Sequence, residues 1–172
     1  PKAISGQEKW CQGYSEPGSG SDLASLQCRA RLDGEVYILS GQKIWTSNAL
    51  EADWMFGLFR TDPDASKHAG ITYLLVDMKS AGIEVRPLKG MTGGMEFNEV
   101  FFDDAVTEAA MVVGGAGNGW AVAMGTLGFE RGASTLGQQT GYRRELDSLL
   151  ELAQANGSIR DPSLRQDLMR SY

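Results

Sequence analysis

The hydrophobic pattern of this 172-residue chain changes from a period of two to a helical period at one glycine-rich stretch, and this change constrains its fold most. Before the stretch, Leu26, Cys28 and Ala30 alternate with polar residues, and Asp33-Gly34 predicts a tight hairpin. Further apolar runs, each bounded by turn-forming residues, cover residues 36–39, 54–59, 71–76, 83–88 and 100–102. No helical pattern intervenes, so we predict an antiparallel β-sandwich or barrel-like domain.

The helical part begins after the glycine cluster at residues 114–119. Apolar residues then recur at helical spacing from Trp120, which predicts one long helix to about Gln154. Asp161 followed by Pro162 is typical of a helix start and predicts a second helix. We therefore predict an α+β chain with a β-domain at residues 1–113 and helices at 114–172. It starts at Pro1 and stops within a helical pattern, so we expect a fragment of a longer protein.

The glycine cluster does not fit a dinucleotide-binding fingerprint. Gly115 and Gly117 have the right spacing, but Trp120 stands where the third glycine should be, and the flanking elements do not form a β-α-β unit. A phosphate-binding loop of the Gly-Lys-Ser/Thr type is absent from the sequence. A flexible connection between strand and helix is the better interpretation.

Two short segments point to a flat anionic cofactor. Residues 15–22 (Ser-Glu-Pro-Gly-Ser-Gly-Ser-Asp) combine glycines with hydroxyls, which leaves main-chain N–H groups and serine side chains able to face a phosphate or a ring edge. Residues 45–48 (Trp-Thr-Ser-Asn) put an aromatic ring beside two hydroxyls at the end of a predicted strand. Taken singly, the first is more typical of a surface loop, and Trp45 of a core aromatic.

Composition excludes several other classes. Sixteen basic and 22 acidic residues give a net charge of −6, which does not favour a nucleic-acid or membrane-surface partner. Cys11 and Cys28 form no C-x-x-C motif, and His68 is the single histidine, so we expect no metal site and a reducing compartment. No apolar run is long enough to cross a bilayer. We expect a cytoplasmic protein, or one of the mitochondrial matrix in a eukaryote.

Four motifs together resemble the flavin-dependent acyl-CoA dehydrogenases. They are Cys11 to Leu23 (CQGYSEPGSGSDL), Leu39 to Asn48 (LSGQKIWTSN), Glu96 to Phe102 (EFNEVFF) and Asn118 to Trp120 (NGW), and the similarity also includes Gly70 to Asp77 (GITYLLVD). The order and spacing match the family over most of residues 10–131. The resemblance implies a middle β-domain, the first helix of a C-terminal four-helix bundle and part of the second.

The resemblance also implies the cofactor, FAD, and the residues that bind it. Those residues are Gln12, Gly13, Tyr14, Ser15, Gly20, Ser21, Trp45, Thr46 and Ser47. Ser15 and Ser47 would face the polar edge of the flavin and Trp45 would flank its ring. Ser21 would lie near the cofactor phosphates and the pantetheine arm of the substrate, and Phe129 would line the substrate site. Relatives usually carry threonine at positions 15 and 47. Serine has no β-branch, so we expect its hydroxyl to be less restricted in its rotamer.

The reaction implied is α,β-dehydrogenation of an acyl-CoA thioester, which needs a base for the α-proton. The resemblance implies that this base is a carboxylate. The family places this base either on a later bundle helix or just before an arginine on the first one. Phe129-Glu130-Arg131 matches the second arrangement, so we expect Glu130 to be the base and Arg131 its electrostatic neighbour. Adjacent helix positions point about 100° apart, which argues against a direct ion pair. Without the resemblance, Glu130 would be interpreted as a solvated helix residue.

The resemblance implies partners as well: an acyl-CoA substrate, an electron-transfer flavoprotein or equivalent acceptor, and further subunits in a homo- or hetero-oligomer. One departure concerns the subunit contact, because no Arg-x-x-Phe-Gly motif follows Arg131. Two alternatives stay open. One is another flavoenzyme on this scaffold, such as an acyl-CoA oxidase, a nitroalkane oxidase or a flavin monooxygenase. The other is a non-catalytic β-module. We expect the isolated chain to bind FAD weakly or not at all and to be inactive.

Overall fold

The computed structural model describes residues 2–172, apart from the side chains of residues 133 and 134. It contains eight strands and two α-helices. The strands are β1 Trp10–Gly13, β2 Arg29–Asp33, β3 Val36–Ser47, β4 Trp54–Arg60, β5 Ile71–Asp77, β6 Ile83–Leu88, β7 Phe97–Glu108 and β8 Val112–Val113. The helices are α1 Gly119–Ala155 and α2 Pro162–Arg170, and short 3-10 turns lie at Leu23–Ser25, Ala109–Met111 and Ser158–Arg160.

The strands form one sheet in the order β6-β7-β3-β2-β4-β5-β8, with β1 paired to β4. The predicted hairpin is confirmed, since Asp33 pairs with Val36 and Gly34 adopts φ +61° in the turn between β2 and β3. Among the described residues the sheet does not close, and the α+β class is confirmed.

The sheet is mixed, which corrects the purely antiparallel arrangement expected from the sequence. Strands β1 and β4 run parallel, with Trp10 opposite Trp54, and β2 contacts β4 in parallel through Arg29 and Arg60. Parallel neighbours need a long connection, and the β2–β3 hairpin lies in the chain between β1 and β4. A strand of four residues carries too little pattern to reveal its partner.

The chain divides into two compact units, Pro1–Met124 and Gly125–Tyr172. The first holds the sheet and a core in which Leu39, Met55, Phe59, Leu74 and Val100 are fully buried. The first residues of α1 also belong to this unit and pack closely on β5, because a side chain at Gly119 would come within 2.6 Å of the main chain of Thr72 and Tyr73. The predicted domain division at residue 113 stays a prediction.

The second unit holds the rest of α1 together with α2. The predicted start of α2 is confirmed: the Asp161 side chain accepts hydrogen bonds from the amides of Ser163 and Leu164, and Pro162 is the first helical residue. Leu146 and Ala153 are its buried apolar residues. Within the described part of the chain, neither helix is long and apolar enough to cross a membrane.

Candidate functional site

A bulge near the end of β3 brings part of the predicted cofactor site to the surface. The register of β3 against β7 shifts between Lys43 and Thr46, so that Lys43 and Thr46 are buried whereas Trp45 and Ser47 are exposed. Without the extra residue, strict alternation would point Trp45 into the core with Lys43.

Trp45 is held in an uncommon backbone conformation. Its φ is +60°, a left-handed value that is rare for a bulky residue and that occurs often at functional sites. The side chain is 60% exposed and packs edge-to-face against Phe97, with ring centroids 6.0 Å apart. The two rings form an exposed aromatic corner beside Ser47, which is opposite Phe97 in the sheet. An exposed aromatic corner of this kind offers a face on which a planar ligand can stack.

The loop at residues 14–22, here named the serine loop, lies directly beside this bulge. The amide of Ile44 donates a 2.9 Å hydrogen bond to the Ser15 carbonyl, which joins the loop to β3. Glu16 and Ser19 exchange main-chain hydrogen bonds of 2.9 and 3.0 Å, closing a tight turn through Pro17 and Gly18. The Ser19 hydroxyl donates to the Asp22 carbonyl at 2.8 Å.

Three serine hydroxyls at this site are available to a ligand. They belong to Ser15, Ser21 and Ser47, and none of the three has a hydrogen-bond partner within the described residues. The main-chain amides of Gly20 and Ser21 likewise have no partner there. Unpaired hydroxyls and consecutive amides are the donors that a phosphate or the polar edge of a flavin requires. The group implied by the sequence therefore fits the residues present.

Charge at the end of the serine loop is compensated. Lys67 donates to both carboxylate oxygens of Asp22 at 2.7 Å, and the Ser25 hydroxyl donates at 2.6 Å. These hydrogen bonds, from Lys67 first and Ser25 second, hold the pKa of Asp22 below its usual range. The negative charge next to Ser21 is thus offset by a lysine, which favours an anionic ligand there.

The structure separates the predicted cofactor residues into exposed and buried groups. Gln12 is half-buried and Gly20 exposed, as a ligand surface requires. Gly13, Tyr14 and Thr46 are buried. At Gly13 a side chain would come within 2.2 Å of the Met55 sulfur, so packing alone explains the glycine.

The Tyr14 ring packs in the core. It contacts Phe56 and Tyr73 edge-on, and its hydroxyl donates to that of Tyr73 at 3.4 Å. Its main-chain carbonyl accepts a 3.2 Å hydrogen bond from the Lys43 amine. Tyr14 therefore supports the serine loop from beneath.

Thr46 faces the core with 1% of its surface exposed, and within the described residues its hydroxyl has no partner. Its carbonyl accepts a 2.9 Å hydrogen bond from the Asn98 side chain. Only the main chain of Thr46 is left to contribute to a ligand site.

The predicted catalytic residues lie in the second unit. Phe129, Glu130 and Arg131 belong to α1, and all three side chains are exposed, Phe129 by 83%. The Glu130 residue, although exposed, interacts with another group of the chain. Their assignment as substrate-binding residue, base and neighbour stays a prediction.

Sequence reasoning missed three residues that shape the site, and it placed a fourth, Glu16, in the cofactor segment without predicting its partner. Phe97 and Asn98 flank the bulge, and Glu16 and Lys43 form a buried ion pair behind the serine loop. The lysine directly before Ile44 and Trp45 in β3 was the available signal, because lysine in a strand interior is unusual unless it has a partner.

Comparison with known proteins decides the family. The model of the acyl-CoA dehydrogenase middle domain matches residues 11–105. This chain belongs to the acyl-CoA dehydrogenase family. The matched range includes both the serine loop and the bulged strand β3.

Individual relatives cover nearly all of the chain. It is 54% identical over 165 residues to the acyl-CoA dehydrogenase IpdE1 of Mycobacterium tuberculosis, spanning 96% of this chain and 43% of the relative. A solved steroid acyl-CoA dehydrogenase, the Tcur3481-Tcur3483 G363A variant, has a TM-score of 0.85 at 35% identity over 99% of this chain and 44% of its own. The ChsE4-ChsE5 complex from Mycobacterium tuberculosis has a TM-score of 0.69 at 35% identity, and the match covers 74% of this chain and 33% of that one. The chain spans less than half the length of these relatives.

Proposed function

We propose that the protein containing this chain is an FAD-dependent acyl-CoA dehydrogenase, in which the serine loop and the bulge of β3 form one wall of the flavin site. The observation that carries the proposal is that the serine loop, with the unpaired hydroxyls of Ser15 and Ser21, is joined to the strand segment that bears the exposed Trp45 ring and the unpaired Ser47 hydroxyl. A purely structural surface loop would not need an aromatic residue held at φ +60° beside it.

Each residue of this wall has a role set by its chemistry. Hydroxyls at Ser15 and Ser47 would donate hydrogen bonds to the polar edge of the flavin, where reduction places negative charge. The Trp45 ring would cover the flavin and exclude water from it. Ser21 and the amides of Gly20 and Ser21 would bind the cofactor phosphates. When bound, the flavin supplies the hydride acceptor for the β-hydrogen of the thioester.

Glu130 is proposed as the base that takes the α-proton, with its carboxylate as the accepting group. The support is its place directly before Arg131 on the first helix after the β-domain, as in one branch of the family. Phe129 would line the acyl site. Arg131, one helix position further, would act on the electrostatics of the surroundings rather than pair with Glu130.

The substrate class is proposed to be a thioester with a bulky ring-bearing acyl group. Support comes from the likeness to a solved steroid acyl-CoA dehydrogenase, at a TM-score of 0.85. The ChsE4-ChsE5 structure is described as a complex, which supports assembly with a second kind of subunit. The electrons would leave to an electron-transfer flavoprotein or equivalent acceptor.

An anaerobic titration of the full-length protein tests this function. The flavin spectrum is recorded, and ring-bearing, branched, short and long acyl-CoAs are added in turn. We expect a ring-bearing thioester to bleach the bound flavin, and Glu130→Gln to abolish bleaching with the flavin retained. Glu145→Gln, another exposed glutamate of α1, is the matched control and should bleach as the unmodified protein does. Bound flavin that no thioester bleaches would favour another flavoenzyme of this scaffold instead.

A further inference from the structure

A buried ion pair lies directly behind the serine loop. The Lys43 amine and a carboxylate oxygen of Glu16 are 2.8 Å apart, with side-chain exposures of 0% and 8%. Two buried charges are costly to desolvate, and replacing such a pair with apolar residues is often neutral or stabilising. Stability of the fold alone is therefore a weak reason for a pair at this position.

The hydrogen bonds of Glu16 connect the loop to a second segment of chain. One carboxylate oxygen accepts from the amide of Gln27 at 2.6 Å, and the other accepts from the amide of Cys28 at 2.9 Å as well as from Lys43. The carboxylate thus bonds three donors, one on β3 and two immediately before β2. This many partners fixes the position of the Glu16 side chain.

The contacts of Lys43 complete the connection to β3. Its amine also donates to the Tyr14 carbonyl at 3.2 Å and lies 5.3 Å from the centroid of the Phe59 ring. Lys43 therefore bonds the serine loop at two points, Tyr14 and Glu16, which lie on either side of Ser15. Trp45, on the same strand, is two residues away.

We propose that Glu16 and Lys43 are positioning residues that fix the serine loop against the bulge of β3, and thereby set Ser15 relative to Trp45 and Ser47. The loop's main chain has one further bond to this strand, from Ile44 to the Ser15 carbonyl. With one main-chain hydrogen bond the loop could still rotate relative to β3. The two further hydrogen bonds from Lys43, to Tyr14 and to Glu16, restrict that rotation. This inference rests on the proposed function only where it concerns the flavin.

The test removes the pair without leaving an unpaired buried charge. The double variant Glu16→Gln, Lys43→Met is made in the full-length protein. The control is Glu51→Gln, Lys9→Met, which removes an exposed ion pair of the same unit, with side-chain exposures of 68% and 61%. Single variants at Glu16 or Lys43 would leave one buried charge without its partner and could fail to fold.

Hydrogen exchange is the first readout. It compares the amides of Ser19 and Ile44, which hold the loop, with the amide of Asp103, which donates to the Gly82 carbonyl elsewhere in the sheet. We expect exchange at Ser19 and Ile44 to become about tenfold faster or more in the double variant, with Asp103 unchanged. Equal acceleration at all three amides, or none, would overturn the proposal, because the pair would then act on global stability or not at all.

Flavin affinity is the second readout. If the loop is positioned for the cofactor, the Kd for FAD should rise about tenfold in the double variant and stay constant in the control. Faster exchange with an unchanged Kd would refute the link to the flavin. If the unmodified protein binds no FAD, the proposed function fails, while the exchange comparison still decides whether the pair positions the loop.

Discussion

The side-chain amide of Asn98 donates a 2.9 Å hydrogen bond to the main-chain carbonyl of Thr46, across the point where β3 bulges against β7. Asn98 is 1% exposed, so the bond is shielded from water. Bulges disturb the regular ladder, and at this one the asparagine side chain supplies a donor to the buried carbonyl. The exposed position of Trp45 therefore depends on a residue from the neighbouring strand.

Replacing Asn98 with alanine should destabilise the sheet unit. The Thr46 carbonyl would lose its donor in a buried environment, which lowers the free energy of unfolding by about 2 kcal/mol. Urea unfolding measures this. Gln42→Ala on the same strand pair removes a half-buried bond to Glu99 and serves as control, with an expected loss of about 0.5 kcal/mol or less. Equal losses in the two variants would show that the Asn98 bond has no special importance for the bulge.

Thr46 itself allows a second test, since its buried hydroxyl has no partner in the described chain. Thr46→Val replaces an unpaired hydroxyl by a methyl group of similar size. We expect the free energy of unfolding to stay constant or to rise by up to about 1 kcal/mol.

Thr107→Val is the matched control for that substitution. The Thr107 hydroxyl donates to the Leu75 carbonyl at 2.7 Å and is also buried, so its loss should cost about 1 to 2 kcal/mol. A comparable loss in Thr46→Val, measured by the same urea titration, would mean that the Thr46 hydroxyl has a hydrogen-bond partner after all.

The two predicted segments illustrate how far sequence reasoning reached. It predicted that the serine loop and the end of β3 belong to one site, which stays a prediction, although the two segments are neighbours in the structure. It also predicted the hairpin, the helices and the start of α2. Local signals specify these features, because turn residues, alternation and helix caps act over a few positions.

The inner contacts of the site could not be predicted in this way. Glu16 and Lys43 are 27 positions apart, and Thr46 and Asn98 are 52 apart. The partner of each depends on the strand order and on a one-residue bulge that reverses which residues face the core. The parallel pairing of β1 with β4 likewise joins strands that are far apart in the sequence, and no local pattern predicts it.

The glycines inside α1 give a further prediction. A side chain at Gly137 would meet no atom of the described chain within 4 Å, so Gly137→Ala should stabilise the helical unit by up to about 1 kcal/mol. Thermal unfolding followed by circular dichroism at 222 nm measures this. Gly119→Ala, by contrast, should destabilise the sheet unit, because the new methyl group would lie 2.6 Å from the main chain of β5. Destabilisation by Gly137→Ala would indicate that another helix or subunit packs closely on this position.

Alkaline pH should destabilise the sheet unit through its two cysteines. Burial raises the pKa of the Cys11 thiol to about 12, and burial first, with the Glu16 charge adding to it, raises that of Cys28 to about 12. In the unfolded chain these thiols ionise near 9.0. The folded state thus holds protons that the unfolded state releases, so the stabilisation is complete below pH 9 and is lost as the pH rises towards 12.

For each thiol the free energy of unfolding should fall by about 1.4 kcal/mol per pH unit in this window. Urea unfolding under reducing conditions at pH 8, 9, 10 and 11 gives the slope. The double variant Cys11→Ala, Cys28→Ala starts from a lower stability because it loses packing, but its slope should be flatter than that of the unmodified chain, since no thiol remains to titrate. Identical slopes would show that groups other than the two thiols account for the alkaline loss. The comparison of slopes rather than of absolute stabilities separates the ionisation of the thiols from the cavities that their removal leaves.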